Sequence, residues 1–166
     1  MLKLNRRAMI ALAAAATAAM TPALAQETTT ATSTGTPGDF SLGSPDAKVK
    51  LVEYASYTCP HCANFHQTVF GQLKKDYIDT GKVQFTMREV YFDRYGLWAA
   101  LIARCGGEMR YFGIHDILFE KQAEWAASED PMKVVENLKT IGRTAGLDDA
   151  AMDVCLNDTA NAEALI

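Results

Sequence analysis

The spacing of apolar and polar positions divides the chain into a leader, a polar stretch and an ordered body. Ala8–Met20 is apolar and uncharged, with Lys3, Arg6 and Arg7 before it and Thr21-Pro22-Ala23-Leu24-Ala25 after it. A basic start, a short apolar centre and an Ala-x-Ala end form the layout of a secretory signal, so residues 1–25 are expected to be removed before Gln26. The apolar run is short of the roughly 20 residues that span a bilayer, and an uncleaved anchor is the competing reading. Arg6-Arg7 also resembles a twin-arginine signal, although the general secretory route is favoured. Either route leads to an oxidising compartment, where cysteine pairs can be disulfides. Residues 26–39 are rich in Thr, Ser, Gly and Ala without apolar periodicity, which predicts a flexible linker or a frayed terminus.

From Phe40 the pattern predicts strand, helix, strand and then a run of helices. Val49–Ser56 alternates and then turns mostly apolar, like a strand entering a core. Over Ala63–Asp79, Phe65, Val69, Leu73 and Tyr77 recur at helical spacing, and Gly81 stops the run. Lys82–Phe92 alternates again as a strand. Leu97–Cys105, Glu108–Ala126, Pro131–Thr144 and Asp148–Asn157 read as helices, with Gly106-Gly107 and Gly146 as breaks and Pro131 at a helix start. A β-α-β unit followed by helices implies an α/β fold with a parallel strand pair in the middle. The expected division is a β-α-β core over residues 40–96 and a helical insertion over 97–166.

Composition narrows the functional classes. Of the 166 residues, 49% are hydrophobic and 22% charged, as in a folded globular domain. A formal net charge of −4 supplies no basic footprint for nucleic acid. The four cysteines are too few for a disulfide-dense scaffold, but Cys59-Pro60-His61-Cys62 sits at a strand-to-helix junction. If Cys59 occupies the helix N-terminus, free backbone N–H groups and the helix dipole favour its thiolate. Pro60 suits the first helical turn, where its missing N–H costs nothing. His61 can add a positive charge or a donor beside the sulfur. All three effects lower the Cys59 pKa and make the disulfide form an oxidant. Cys59 is then the exposed attacking sulfur and Cys62, one turn further in, the resolving one. Zinc would need about four ligands, with His61 or His66 helping. A c-type haem would need His where Ala63 stands. A purely structural bridge would gain little entropy from so short a ring. No cofactor and no metal are expected.

Leu51–His66 (LVEYASYTCPHCANFH) resembles the DsbA family of periplasmic thiol-disulfide oxidoreductases, on the branch common in alphaproteobacteria. The similarity continues through Gly81–Phe85, Arg88-Glu89 and Tyr111–Phe119, and covers roughly Phe40 to Ile166. It implies a thioredoxin fold with a helical insertion. The implied activity is disulfide donation to unfolded or newly secreted cysteine-containing proteins, with a DsbB-like membrane partner as reoxidant and a monomeric state. It also makes Glu53, six positions before Cys59, a buried proton acceptor for Cys62; the competing reading is an edge residue with its carboxylate in water. Arg88 is a possible ion partner of Glu53, or a solvated strand residue.

Cys105 and Cys155 lie fifty positions apart on two predicted helices. They are read as a structural disulfide worth about 4 kcal/mol on a chain-entropy estimate, or as two buried free thiols. His66, one turn beyond Cys62, could influence that thiol but is expected on the helix surface; His115 is expected as a hydrogen-bonded, partly buried side chain, with a ligand or base as the competing reading. Tyr54, Tyr57 and Phe65 could line an apolar groove or belong to the core.

The family carries a cis-proline loop, a hairpin and a final helix that no stretch after Pro131 matches, so the chain is expected to be truncated and to leave an apolar sheet edge open. Two functional classes follow: a dithiol oxidase, with a reductase or isomerase as its nearer variant (a dimeric isomerase would need a longer dimerisation segment than Gln26–Asp39), or a non-catalytic thioredoxin-like module that holds metal or peptide.

Overall fold

The computed structural model describes residues 38–166; the expected signal and most of the expected linker lie outside them. Three strands form one sheet in the order β1-β3-β2, where β1 is Ser41–Leu42, β2 Val49–Ala55 and β3 Val83–Glu89. β2 and β3 run parallel from Val49 opposite Val83 to Ala55 opposite Glu89. β1, which no periodicity announced, lies antiparallel to β3 with Leu42 opposite Phe85. The Ser41 and Thr86 hydroxyls join the two strands at 2.6 Å.

The parallel pair is present, but its placement corrects the expectation. β3 is the middle strand, with Val83, Phe85, Thr86 and Met87 buried. β2 forms an edge and exposes Val49 (54%), Leu51 (36%), Val52 (39%) and Tyr54 (63%). These apolar side chains stand on β2, at the border of the described sheet.

The helix after β2 begins at Pro60, earlier than the apolar pattern alone suggested. It runs as α1 (Pro60–Phe65), a wide π turn (His66–Phe70), α2 (Gly71–Leu73) and a second π turn (Lys74–Ile78). Such widened turns often sit at functional sites. Five helices follow β3: α3 (Arg94–Cys105), α4 (Gly107–Glu120), α6 (Pro131–Thr144), α7 (Asp149–Asn157) and α8 (Thr159–Leu165), with the short α5 (Gln122–Trp125) between α4 and α6. α3 starts at Arg94 because the Asp93 carboxylate accepts hydrogen bonds from the Tyr95 and Gly96 N–H groups. Asp130 caps α6 through the Met132 N–H, with Pro131 in the first turn. The expected single helix over 108–126 is interrupted at Lys121, which leaves helical geometry.

One apolar cluster joins the sheet and the helices. Phe70 and Ile78, Phe85 and Met87, Ala99–Ala103 apart from Leu101, and Ile114, Leu118 and Phe119 all belong to it. Cys105, the last residue of α3, is disulfide-bonded to Cys155 in α7, with 5.8 Å between their Cα atoms. Among the described residues, no helix is long and apolar enough to cross a membrane.

Candidate thiol-disulfide site

The loop from β2 into α1 is tied down from several sides. The Cys59 N–H donates to the Ser56 carbonyl, and the Ala63 N–H donates to the Cys59 carbonyl, the first bond of the helix. Cys59 is therefore the residue that caps the helix, with Pro60 in its first turn. The buried Gln122 amide donates to the carbonyls of Tyr57 (2.7 Å) and Cys59 (2.9 Å). The Thr58 hydroxyl donates to the Asp93 carboxylate at 2.6 Å, tying the loop to the start of α3. At Gly96 a Cβ would lie 3.2 Å from the Ser56 hydroxyl, so the close approach of α3 to this loop suits glycine.

Cys59 and Cys62 are free thiols, both partly exposed, and their environments are opposed. For Cys59, burial works against ionisation, but the Cys62 N–H, the Cys62 thiol and the His61 N–H outweigh it and hold the thiol below its ordinary value. Burial pushes Cys62 up, helped by the neighbouring Cys59 sulfur and the Glu53 carboxylate, against a hydrogen bond from the Ser56 backbone. One helical turn thus holds a thiol inclined to ionise and a thiol inclined to keep its proton. Pro60 and His61 are exposed beside them.

Glu53 lies on an edge strand, yet its side chain is only 18% exposed. Its carboxylate meets His66 Nε2 at 2.9 Å, and the His66 side chain is 4% exposed. This corrects the surface position expected of His66. The imidazole stacks on Phe119 with 4.1 Å between centroids and 3° between planes. Arg88 does not pair with Glu53. It holds the Asp39 carboxylate at 2.7 Å and donates to the Tyr54 hydroxyl at 2.9 Å.

Beneath the pair lies a buried polar chain. His115 is fully buried, with Nδ1 3.3 Å from the Tyr57 hydroxyl. The Tyr57 hydroxyl also reaches that of Tyr111 at 3.5 Å, and the Tyr111 hydroxyl donates to Glu89 at 2.7 Å. Glu89 closes the chain on Arg104 at 2.6 Å. Burial, with the charge of His66, pushes His115 well below the ordinary histidine value, so it stays neutral. Burial raises both tyrosines, which therefore remain protonated donors. Of the three aromatic side chains that flank the motif, Tyr57 is core, Tyr54 is exposed and Phe65 is half-buried.

Sequence reasoning missed Gln122, Thr58 and Asp93. Asp93 had a readable signal, an Asp before a helix. Gln122 had only a polar residue among apolar neighbours. Among the described residues, no group of three or more His, Cys, Asp or Glu side chains is arranged to hold a metal ion.

A family model described as thioredoxin matches residues 35–166. The chain is 40% identical over 129 residues to a Rickettsia bellii protein named "Putative protein-disulfide oxidoreductase", covering 77% of this chain and 49% of that one. It thus spans about half the length of the curated relatives it matches first. The crystal structure of Wolbachia pipientis alpha-DsbA1 is similar, with a TM-score of 0.72 and 33% identity, over 78% of this chain and 64% of that chain. So is that of a protein-disulfide isomerase from Novosphingobium aromaticivorans, with a TM-score of 0.67 and 30% identity, over 79% and 77%. With its family model, its fold and these relatives in agreement, the chain belongs to the thioredoxin family, among the DsbA-like proteins.

Proposed function

We propose that this chain carries a thiol-disulfide exchange centre that donates the Cys59–Cys62 disulfide to cysteine-containing proteins in the periplasm. The observation that carries the reading is the placement of Cys59 at the helix cap and of Cys62 one turn inside it, which gives the two thiols opposed tendencies to ionise. A substrate thiolate attacks Cys59 Sγ, the Cys59–Cys62 bond breaks, and Cys62 leaves as a thiolate that takes up a proton. A second substrate thiolate then attacks its own half of the mixed disulfide and releases Cys59 as a thiolate. The substrate gains a disulfide and the protein holds a dithiol, so two electrons have moved. Because Cys59 leaves as a stabilised thiolate, the reduced form is favoured and the disulfide form is the oxidant. Pro60 and His61 shape the exposed approach to Cys59, and Glu53 receives or returns the Cys62 proton. A DsbB-like membrane protein would restore the disulfide. A Bacillus subtilis relative, 36% identical over 89 residues, is named "Disulfide bond formation protein D", which supports this direction.

The test is a glutathione redox titration of the mature protein, quenched in acid and read by alkylation and intact mass. The expected result is one two-electron transition confined to Cys59 and Cys62, more oxidising than the glutathione pool. A strongly reducing couple would make the protein a thioredoxin-like reductase. No transition at all would leave a module that holds peptide or metal without turnover.

A further inference from the structure

Gln122 stands where the spacing of apolar residues calls for an apolar side chain. It follows the buried His115 by seven residues and the buried Leu118 by four, so it continues their stripe past the break at Lys121. A leucine would complete that stripe, whereas a buried amide costs free energy unless its hydrogen bonds are made. Here both go to one loop. The Gln122 amide nitrogen donates to the carbonyls of Tyr57 (2.7 Å) and Cys59 (2.9 Å), the two residues that flank Thr58, and Gln122 is 8% exposed. Its own element is held in turn. The Gln122 carbonyl accepts from the Ala126 N–H at 3.0 Å, and the buried Trp125 indole donates to the Leu118 carbonyl at 2.8 Å. The Cys59 carbonyl already accepts the first helical bond, from the Ala63 N–H at 3.1 Å, so Gln122 is a second donor on that oxygen. The oxygen belongs to the same residue as the reactive sulfur. Its partial negative charge opposes a thiolate there, and a second donor offsets that charge. The titratable groups that meet this loop are His61 and Cys62 on α1 and Asp93, through the Thr58 hydroxyl, at the start of α3. Gln122 adds a neutral donor from α5.

We propose that Gln122 is a positioning residue of the exchange centre, whose amide fixes the Cys59 backbone and favours the Cys59 thiolate over the Cys59–Cys62 disulfide. The helical insertion thereby helps to set how strongly the disulfide oxidises. The inference rests on the exchange reading above. In that reaction the protein disulfide takes two electrons from two substrate thiols. The Cys59–Cys62 bond breaks, a substrate disulfide forms, and Cys59 is left as the thiolate. The amide contact is present with both thiols free. In the disulfide form the Cys59 sulfur is neutral and bonded to Cys62, so it offers no charge for the donor to offset. The contact is worth more in the dithiol form, and that difference makes it act on the equilibrium as well as on the fold.

The experiment compares the mature wild-type protein with Gln122→Met, which keeps the length of the side chain and removes both donors. Each is equilibrated with reduced and oxidised glutathione at neutral pH, quenched in acid and counted by alkylation and intact mass. In Gln122→Met the equilibrium should move about fivefold towards the protein disulfide, the worth of one ordinary hydrogen bond. The Cys59 thiolate, followed by its ultraviolet absorbance, should form at higher pH than in wild type. Paired urea melts should show the reduced variant losing more stability than the oxidised one. A merely structural role would cost both forms equally and leave the glutathione equilibrium and the thiolate titration where they are. That result overturns the proposal and leaves the exchange function standing. If Gln122→Met does not fold, the wild-type protein decides. The Gln122 side-chain amide signals, followed by NMR in the reduced protein, should shift with the same inflection as the Cys59 thiolate absorbance, and a flat response overturns the proposal. A wild-type protein with no glutathione couple removes both this inference and the exchange reading.

Discussion

At the scale of single residues, the two sulfurs predict their own test. Cys59 is held below the ordinary thiol value and Cys62 above it, so iodoacetamide should modify Cys59 selectively in the reduced protein at mildly acidic pH. Peptide mass mapping across a pH series checks this, and equal labelling of both would contradict it. Cys62→Ser should accumulate a mixed disulfide on Cys59, and Cys59→Ser should accumulate none on Cys62. The linkage to stability has a definite sign. A lowered thiol pKa stabilises the folded reduced form fully above the unfolded value, about 8.5, and that contribution is lost as the pH falls through the lowered folded value. The disulfide form has no such thiol to titrate. Reduced protein should therefore lose stability relative to oxidised protein as the solution is acidified over that window, as paired urea melts would show. Gln122 makes a separate prediction. Its amide holds two loop carbonyls, one of them that of Cys59. Gln122→Ala should cost about 2 kcal/mol in urea unfolding, the scale of leaving buried acceptors unpaired.

At the scale of elements, the capping of α3 ties the fold to the site. Asp93 accepts two backbone hydrogen bonds at the helix start and a third from the Thr58 hydroxyl beside Cys59. Asp93→Ala should cost about 1 kcal/mol for the cap alone and should loosen the Cys59 loop, visible as faster amide exchange at Thr58 and Cys59. Elements whose cause is local were legible in advance. The α6 boundaries follow from Asp130-Pro131, and the helix after β2 follows from its apolar spacing and Pro60. The helix start at Cys59 was legible too, because proline and two cysteines at one junction mean something without tertiary information. β1 was not, since two residues paired to β3 leave no periodic trace. The edge position of β2 could not be read either. An apolar strand looks the same in the middle of a sheet and at its border, and only pairing distinguishes them. His66 was misread for a related reason. Its burial depends on Phe119, 53 positions away in the chain, and on a carboxylate from another element.

At the scale of the whole molecule, stability rests on ties between distant parts of the chain. The Cys105–Cys155 bond links α3 to α7 across a sequence separation of 50. Replacing both cysteines with alanine should lower unfolding free energy by about 4 kcal/mol on the chain-entropy estimate, while the Cys59–Cys62 couple should be unchanged. The second tie is the buried polar chain from Arg104 through Glu89, Tyr111 and Tyr57 to His115, and its weak point in acid is His115. The imidazole is buried neutral, with its pKa well below the ordinary value. The unfolded chain binds a proton there from about pH 6.5 downward, whereas the folded chain does not until much lower pH. Stability from this residue is thus complete above the unfolded value. It drains as the pH falls from there towards the depressed folded value, at up to about 1.4 kcal/mol per pH unit. Urea melts of oxidised protein, whose active-site thiols cannot titrate, isolate this effect from that of Cys59. His115→Gln keeps a polar group near the Tyr57 hydroxyl and removes the titration. It should lower stability at neutral pH but flatten the decline below about pH 6.5; an unchanged acid slope in that variant would mean that other groups carry the acid sensitivity of the fold.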